Sequence, residues 1–182
     1  MDLKDKLIIV LMGASGVGKS YIASKLPYVK QVTTTTRDKR INEEEGKDYN
    51  FISREDFNKD DFIEYDEYLG NYYGLPKKAL EETLSKTDIV TVILTERGCK
   101  ELKKLYGNKV IGVLVTSTID CIFSRLRGRG DSEEQIKNEI YNILDNNLLY
   151  GDSKVVDYTY TNIGNVKKAV EFIKNIVQEH KE

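Results

Sequence analysis

Gly13-Ala14-Ser15-Gly16-Val17-Gly18-Lys19-Ser20 brings glycines, a lysine and a hydroxyl together in the order G-x-x-x-x-G-K-[ST]. Residue types in this order bind phosphate. Glycines let the backbone fold tightly enough to aim successive N–H groups at phosphate oxygens. An ammonium at Lys19 can neutralise the β- and γ-phosphates, and a hydroxyl at Ser20 suits Mg²⁺. The run therefore reads as a loop that takes a nucleoside triphosphate, with all eight residues as candidate ATP ligands. The loop alone does not separate kinase from ATPase or GTPase. A switch-type GTPase also needs an N-K-x-D segment, and Asn108-Lys109 continues as Val110-Ile111 without the aspartate.

A second set of motifs lies between residues 33 and 74. Thr33-Thr34-Thr35-Thr36-Arg37 leads to Arg40, followed by Gly46-Lys47-Asp48-Tyr49-Asn50-Phe51. Phe62-Ile63-Glu64-Tyr65 and Gly70-Asn71-Tyr72-Tyr73-Gly74 come next, and Arg125-Leu126-Arg127-Gly128-Arg129-Gly130 stands further on. In order and spacing these segments resemble guanylate kinase, over nearly the whole chain. The resemblance implies transfer of the ATP γ-phosphoryl group to GMP or dGMP. By that resemblance Arg37, Arg40, Tyr49 and Tyr73 hold the acceptor phosphate, a task suited to guanidinium forks and phenols. Glu64 accepts from guanine N1–H and its exocyclic amine, and Thr33 touches the base. Lys19, Arg37, Arg125 and Arg129 become the catalytic cations, the last two closing as a lid over the transferring group. Asn162 is placed near the donor adenine.

The chain departs from the family pattern in four places. Leu75 stands where a small hydroxyl residue usually bonds guanine O6, and Ile93 and Thr95 fall on positions that are normally acidic. Glu139 aligns with a third lid-region arginine, and Ile41-Asn42 replace the Pro-Gly that follows the acceptor arginines. Phosphate-holding residues thus match more fully than base-reading ones. Two other readings stay open: a related kinase with a different nucleotide or small phosphorylated acceptor, and a non-catalytic guanylate-kinase-like binding module. Intact Lys19 and Ser20 oppose the second.

The elements that must position these residues show in the hydrophobic periodicity. Leu7–Met12 is a β-branched, apolar run, as in a strand buried on both faces. Further strands are expected at 31–35, Tyr49–Phe51, 62–65, 88–94, Val110–Thr116 and Tyr158–Thr161. Helices are expected at 19–26, 76–85, 96–105, 119–127, 132–149 and Val166–Glu179, with a further start at 53–56 and a capping box at Ser132-Glu133-Glu134-Gln135. Alternation of this kind implies an α/β fold with a parallel sheet flanked by helices. The expected organisation is a single domain over 1–182. Its core covers 1–35 and 76–182, with a lid at about 125–148 and an acceptor-binding insertion at about 36–75.

Composition narrows the function classes. The chain has 182 residues and a formal net charge of −2, without the basic excess of a nucleic-acid binder. Cys99, Cys121 and His180 have no zinc-ligand spacing, and both cysteines read as small apolar residues. The run Glu43-Glu44-Glu45 reads as a solvated loop. Without a signal peptide or a membrane-length apolar stretch, a cytoplasmic enzyme is expected, as monomer or homodimer.

Overall fold

The computed structural model describes residues 5–152 and 154–181. Its first strand, β1 (Leu7–Met12), is buried along its whole length, as its unbroken apolar run requires. With β2 (Val29–Lys30), β7 (Ile89–Ile93), β8 (Val110–Thr116) and β9 (Tyr158–Thr161) it builds a sheet in the order β2-β7-β1-β8-β9. The β2–β7 and β8–β9 pairs are parallel. Helices α1 (Lys19–Ala23), α2 (Lys77–Lys86), α3 (Glu96–Tyr106), α4 (Ile119–Gly128), α5 (Glu133–Asp145) and α6 (Val166–Glu179) alternate with these strands.

A second sheet, in the order β4-β3-β6-β5, joins β4 (Tyr49–Phe51), β3 (Thr33–Thr35), β6 (Asn71–Pro76) and β5 (Phe62–Tyr68). Here β3 and β4 run parallel, while β6 is antiparallel to both β3 and β5. The chain divides into two compact units, Met1–Val10 with Pro27–Ile111 and Leu11–Leu26 with Gly112–Glu182. Leu80, Leu84, Val90, Val92, Cys99 and Leu102 are core residues of the first unit; Ile22, Ile122, Leu126, Ile136, Ile143 and Ile173 are core residues of the second. No helix among the described residues is long and apolar enough to cross a membrane.

Several sequence expectations need correction. The strand expected at 31–35 is shorter, β3 at Thr33–Thr35 in the second sheet, and β2 just before it, paired with β7, was not expected. Gln31 makes the step, its N–H bonded to Thr91 O at 2.7 Å and its side chain accepting from Thr83 Oγ1 at 2.7 Å. No helix starts at 53–56. Ser53 Oγ donates to Asp56 Oδ2 at 2.8 Å, but Phe57 then turns inward and stacks on Phe62 at 4.2 Å between centroids. Pro76 ends β6 and precedes α2 instead of lying inside it.

Two helices stop early for local reasons. Helix α1 tightens after Ala23 through Lys25 N–H to Ile22 O and Leu26 N–H to Ala23 O, because Pro27 disfavours helical backbone before it. Helix α5 ends at Asp145, and Asn147 takes a left-handed φ of 50°. The capping box appears as expected: Ser132 Oγ accepts from Gln135 N–H, and Gln135 Oε1 from Ser132 N–H.

Candidate functional site

The phosphate loop lies within the second compact unit. Gly13, Gly16 and Gly18 all hold positive φ. Gly13 is the tightest, since a Cβ there would sit 2.1 Å from Val115 O. Any side chain at Gly13 would push the loop off β8. Lys19 Nζ folds back onto the loop, donating to Gly13 O at 2.7 Å and Ala14 O at 2.8 Å. Burial lowers the Lys19 pKa to about 8; the nearby Glu139 carboxylate opposes the shift and Arg129 adds to it. Glu139, expected on a lid position, is thus a buried carboxylate within electrostatic reach of Lys19.

The loop's carbonyl side is held by three residues. Arg125 Nη1 donates to Gly16 O, Val17 O and Ser117 Oγ at 3.1–3.2 Å, and its Nη2 to Asn162 O at 2.9 Å. Asn162 is buried, with Nδ2 donating to Val17 O at 2.8 Å. Ser117 Oγ donates to Asn162 O at 2.7 Å. Arg125 and Asn162 thus both donate to carbonyl oxygens of the loop, at Gly16 and Val17. Arg129 pairs with Asp131 and reaches Ser15 Oγ at 3.5 Å. Ser20 is exposed at the start of α1.

The acceptor candidates lie within the first unit, on the second sheet. Cross-strand partners share a face, and residues two apart along a strand do too. Thr33 pairs with Tyr49, Thr35 with Phe51 and Tyr73, Tyr73 with Asp66, and Leu75 with Glu64. One face therefore carries Thr33, Tyr49, Glu64, Asp66, Tyr73 and Leu75. The opposite face packs Phe57, Phe62, Tyr65 and Tyr72 against one another. Arg37 lies over the Tyr49 ring at 5.6 Å, and Tyr49 meets Tyr73 edge-on at 6.0 Å. Thus Arg37, Tyr49 and Tyr73 come together as the motifs require.

Glu43 is not a solvated loop residue. Its carboxylate accepts from Arg37 Nη2 at 2.8 and 3.0 Å and from Arg40 N–H at 2.9 Å, and it lies 3.5 Å from Arg40 Nη1. Burial works against its charge, yet Arg37 and Arg40 outweigh burial and lower its pKa. Burial likewise opposes the Arg37 charge, while Glu43 and Tyr73 raise its pKa overall. Burial pushes the Tyr49 phenol up to about 12, so it stays a neutral donor. Neither Glu43, one of three consecutive glutamates, nor Ser117 is singled out by any signal in the sequence.

Glu64 is buried, and burial with the nearby Asp66 charge raises its pKa to about 7. Its neighbour Leu75 is fully buried and brings no polar group. A Cβ at Gly98, in the first turn of α3, would lie 2.7 Å from Glu64 Cδ, so a side chain there would displace the carboxylate from its present position. Thr95 caps α3, its Oγ1 accepting from Gly98 N–H at 3.2 Å and donating to Asp66 Oδ2 at 3.0 Å.

Comparison with known proteins points to one family. The guanylate kinase family matches residues 5–180. The guanylate kinase of Carboxydothermus hydrogenoformans is 34% identical over 139 residues, covering 71% of this chain and 68% of that protein. The crystal structure of guanylate kinase from Anaplasma phagocytophilum superposes with a TM-score of 0.70 at 26% identity, over 97% of this chain and 86% of that one. An uncharacterised protein from Eubacterium ventriosum shares the fold at 19% identity and a TM-score of 0.53, over 96% and 99% of the two chains. A phosphate loop braced from behind, a sheet face of arginine, phenols and one buried acid, and a family match across nearly the whole sequence have one common explanation: this chain belongs to the guanylate kinase family.

Proposed function

We propose that the chain transfers the γ-phosphoryl group of ATP to GMP or dGMP, giving ADP and GDP or dGDP. The observation that carries this reading is the shared face of Thr33, Tyr49, Glu64 and Tyr73 beside Arg37. A phosphate oxygen of the acceptor attacks the γ-phosphorus in line as the bond to the β,γ-bridging oxygen breaks, and ADP departs. No covalent enzyme intermediate is needed, because positioning and charge neutralisation supply the catalysis. Residues 13–20 bind the ATP phosphates through backbone N–H groups, and Lys19 moves from its own loop carbonyls to the β- and γ-oxygens. Arg125 and Asn162 hold the loop from its carbonyl side, and Arg129 neutralises charge on the transferring group. Arg37, Arg40, Tyr49 and Tyr73 hold the acceptor phosphate, while Glu64 and Thr33 meet the base.

Ser20 would hold Mg²⁺ through its hydroxyl, and the ion, when bound, would neutralise phosphate charge. No group of three or more His, Cys, Asp or Glu that could hold a metal ion occurs among the described residues. We place the enzyme in the cytoplasm, as monomer or homodimer.

Leu75 and Thr95 favour a second reading, in which a related acceptor replaces GMP. A panel of nucleoside monophosphates under ATP and Mg²⁺ separates the two. GMP should give the highest kcat/KM, and a higher value for any other base would sink the guanine assignment.

A further inference from the structure

We propose that Asp66 is a second acidic reader of the acceptor base, accepting from its exocyclic amine, and that Thr95 is the positioning residue that aims it. The inference rests on GMP as acceptor and deepens that reading. Asp66 follows Glu64 by two residues on β5, so both carboxylates project from the face that carries Thr33, Tyr49 and Tyr73. Two carboxylates side by side repel each other, and the fold supplies specific partners to keep Asp66 there.

Those partners fix its orientation. The Thr95 hydroxyl has one proton, and since its oxygen already accepts from Gly98 N–H, that proton is free for Asp66 Oδ2 at 3.0 Å. Asp66 Oδ1 accepts from Glu67 N–H at 2.9 Å, and Arg97 Nη1 lies 3.7 Å from it. Each carboxylate oxygen keeps a second lone pair. The Asp66 side chain remains 26% exposed, so that capacity is open to a ligand. An acidic group is thereby delivered next to Glu64 from β5, while residue 95 contributes only a hydroxyl. A purine edge with adjacent N–H donors fits such a pair. An edge that presents an acceptor there would face two anions.

The test compares wild type, Asp66→Asn, Thr95→Val and Thr95→Ser in steady-state assays with GMP, inosine monophosphate and ATP. Asp66→Asn should raise the GMP KM by about 10-fold to 100-fold, the range for a lost hydrogen bond to a charged group. The ATP KM should stay within twofold. The preference for GMP over inosine monophosphate, which lacks the amine, should narrow. Thr95→Val should move the same quantities less far, and Thr95→Ser, which keeps the hydroxyl, should restore wild-type values. A wild type active on GMP whose KM and base preference survive Asp66→Asn would overturn the inference alone. A wild type inactive on GMP would overturn the parent reading and the inference with it. Should Asp66→Asn fail to fold, an unchanged base preference in folded Thr95→Val overturns the proposal equally.

Discussion

Glu64 must be an anion to accept from guanine N1–H, yet it sits where anions are disfavoured. Burial first, and then Asp66, hold its pKa near 7. Below that value the carboxyl is protonated and presents a donor to a donor; above it the carboxylate accepts. The GMP KM should therefore fall about tenfold between pH 6 and pH 8, following the ionised fraction. Glu64→Gln should have a weak, nearly flat dependence over the same range, and a wild-type KM that tracked the variant's would remove Glu64 from base recognition. At this scale the phosphate loop was legible because its chemistry is local, eight consecutive residues with one backbone task. The partnership of Glu43 with Arg37 was not. Three consecutive glutamates look alike in sequence, and only the turn after Arg40 brings the first of them back onto the guanidinium.

Helix α3 shows how an element can be tuned for a side chain it does not contain. Alanine at an interior helix position is ordinarily worth about 1 kcal/mol over glycine. At Gly98 the added methyl would meet the Glu64 carboxyl group at 2.7–3.0 Å. Gly98→Ala should therefore raise the GMP KM several-fold and leave the ATP KM unchanged, with no gain in Tm; a variant with higher Tm and normal GMP kinetics would show that Glu64 has room to move. Elements with regular periodicity were readable in advance: β1, β8, β9 and α6 match their expected bounds. Where the chain passes from one sheet to the other it was not readable, because residues 29–35 are extended throughout and nothing local marks Gln31 as the crossing. Nor did the GNYYG motif announce β6, which is a strand only because β3 and β5 flank it.

For the molecule as a whole, two of the strongly shifted site groups, Glu64 and Lys19, make stability depend on pH near neutrality. Glu64 has its pKa raised from 4.5 to about 7, so between those values the folded state holds more protons than the unfolded one. Its contribution to stability therefore falls as pH rises through that window. Lys19, lowered from 10.5 to about 8, is costly below pH 8, and that cost is relieved as pH rises toward 10.5. Both costs are in force between pH 7 and pH 8. Glu64→Gln should match wild type near pH 4.5 and become more stable by about 2–3 kcal/mol above pH 7, read as the difference between paired denaturation curves. A difference independent of pH would show that Glu64 is not held near 7.

The Glu43 carboxylate has a further bearing on how the acceptor enters. Arg37 does not wait as a bare cation; it already carries a counterion supplied by its own chain. Under the proposed role of Arg37, a phosphate arriving there would take part in an exchange of anions, as on an ion-exchange resin, so its affinity would be the difference between two ion pairs and not the strength of one. Salt would screen both sides of such an exchange, and a doubly charged oxyanion would displace Glu43 more readily than a singly charged one.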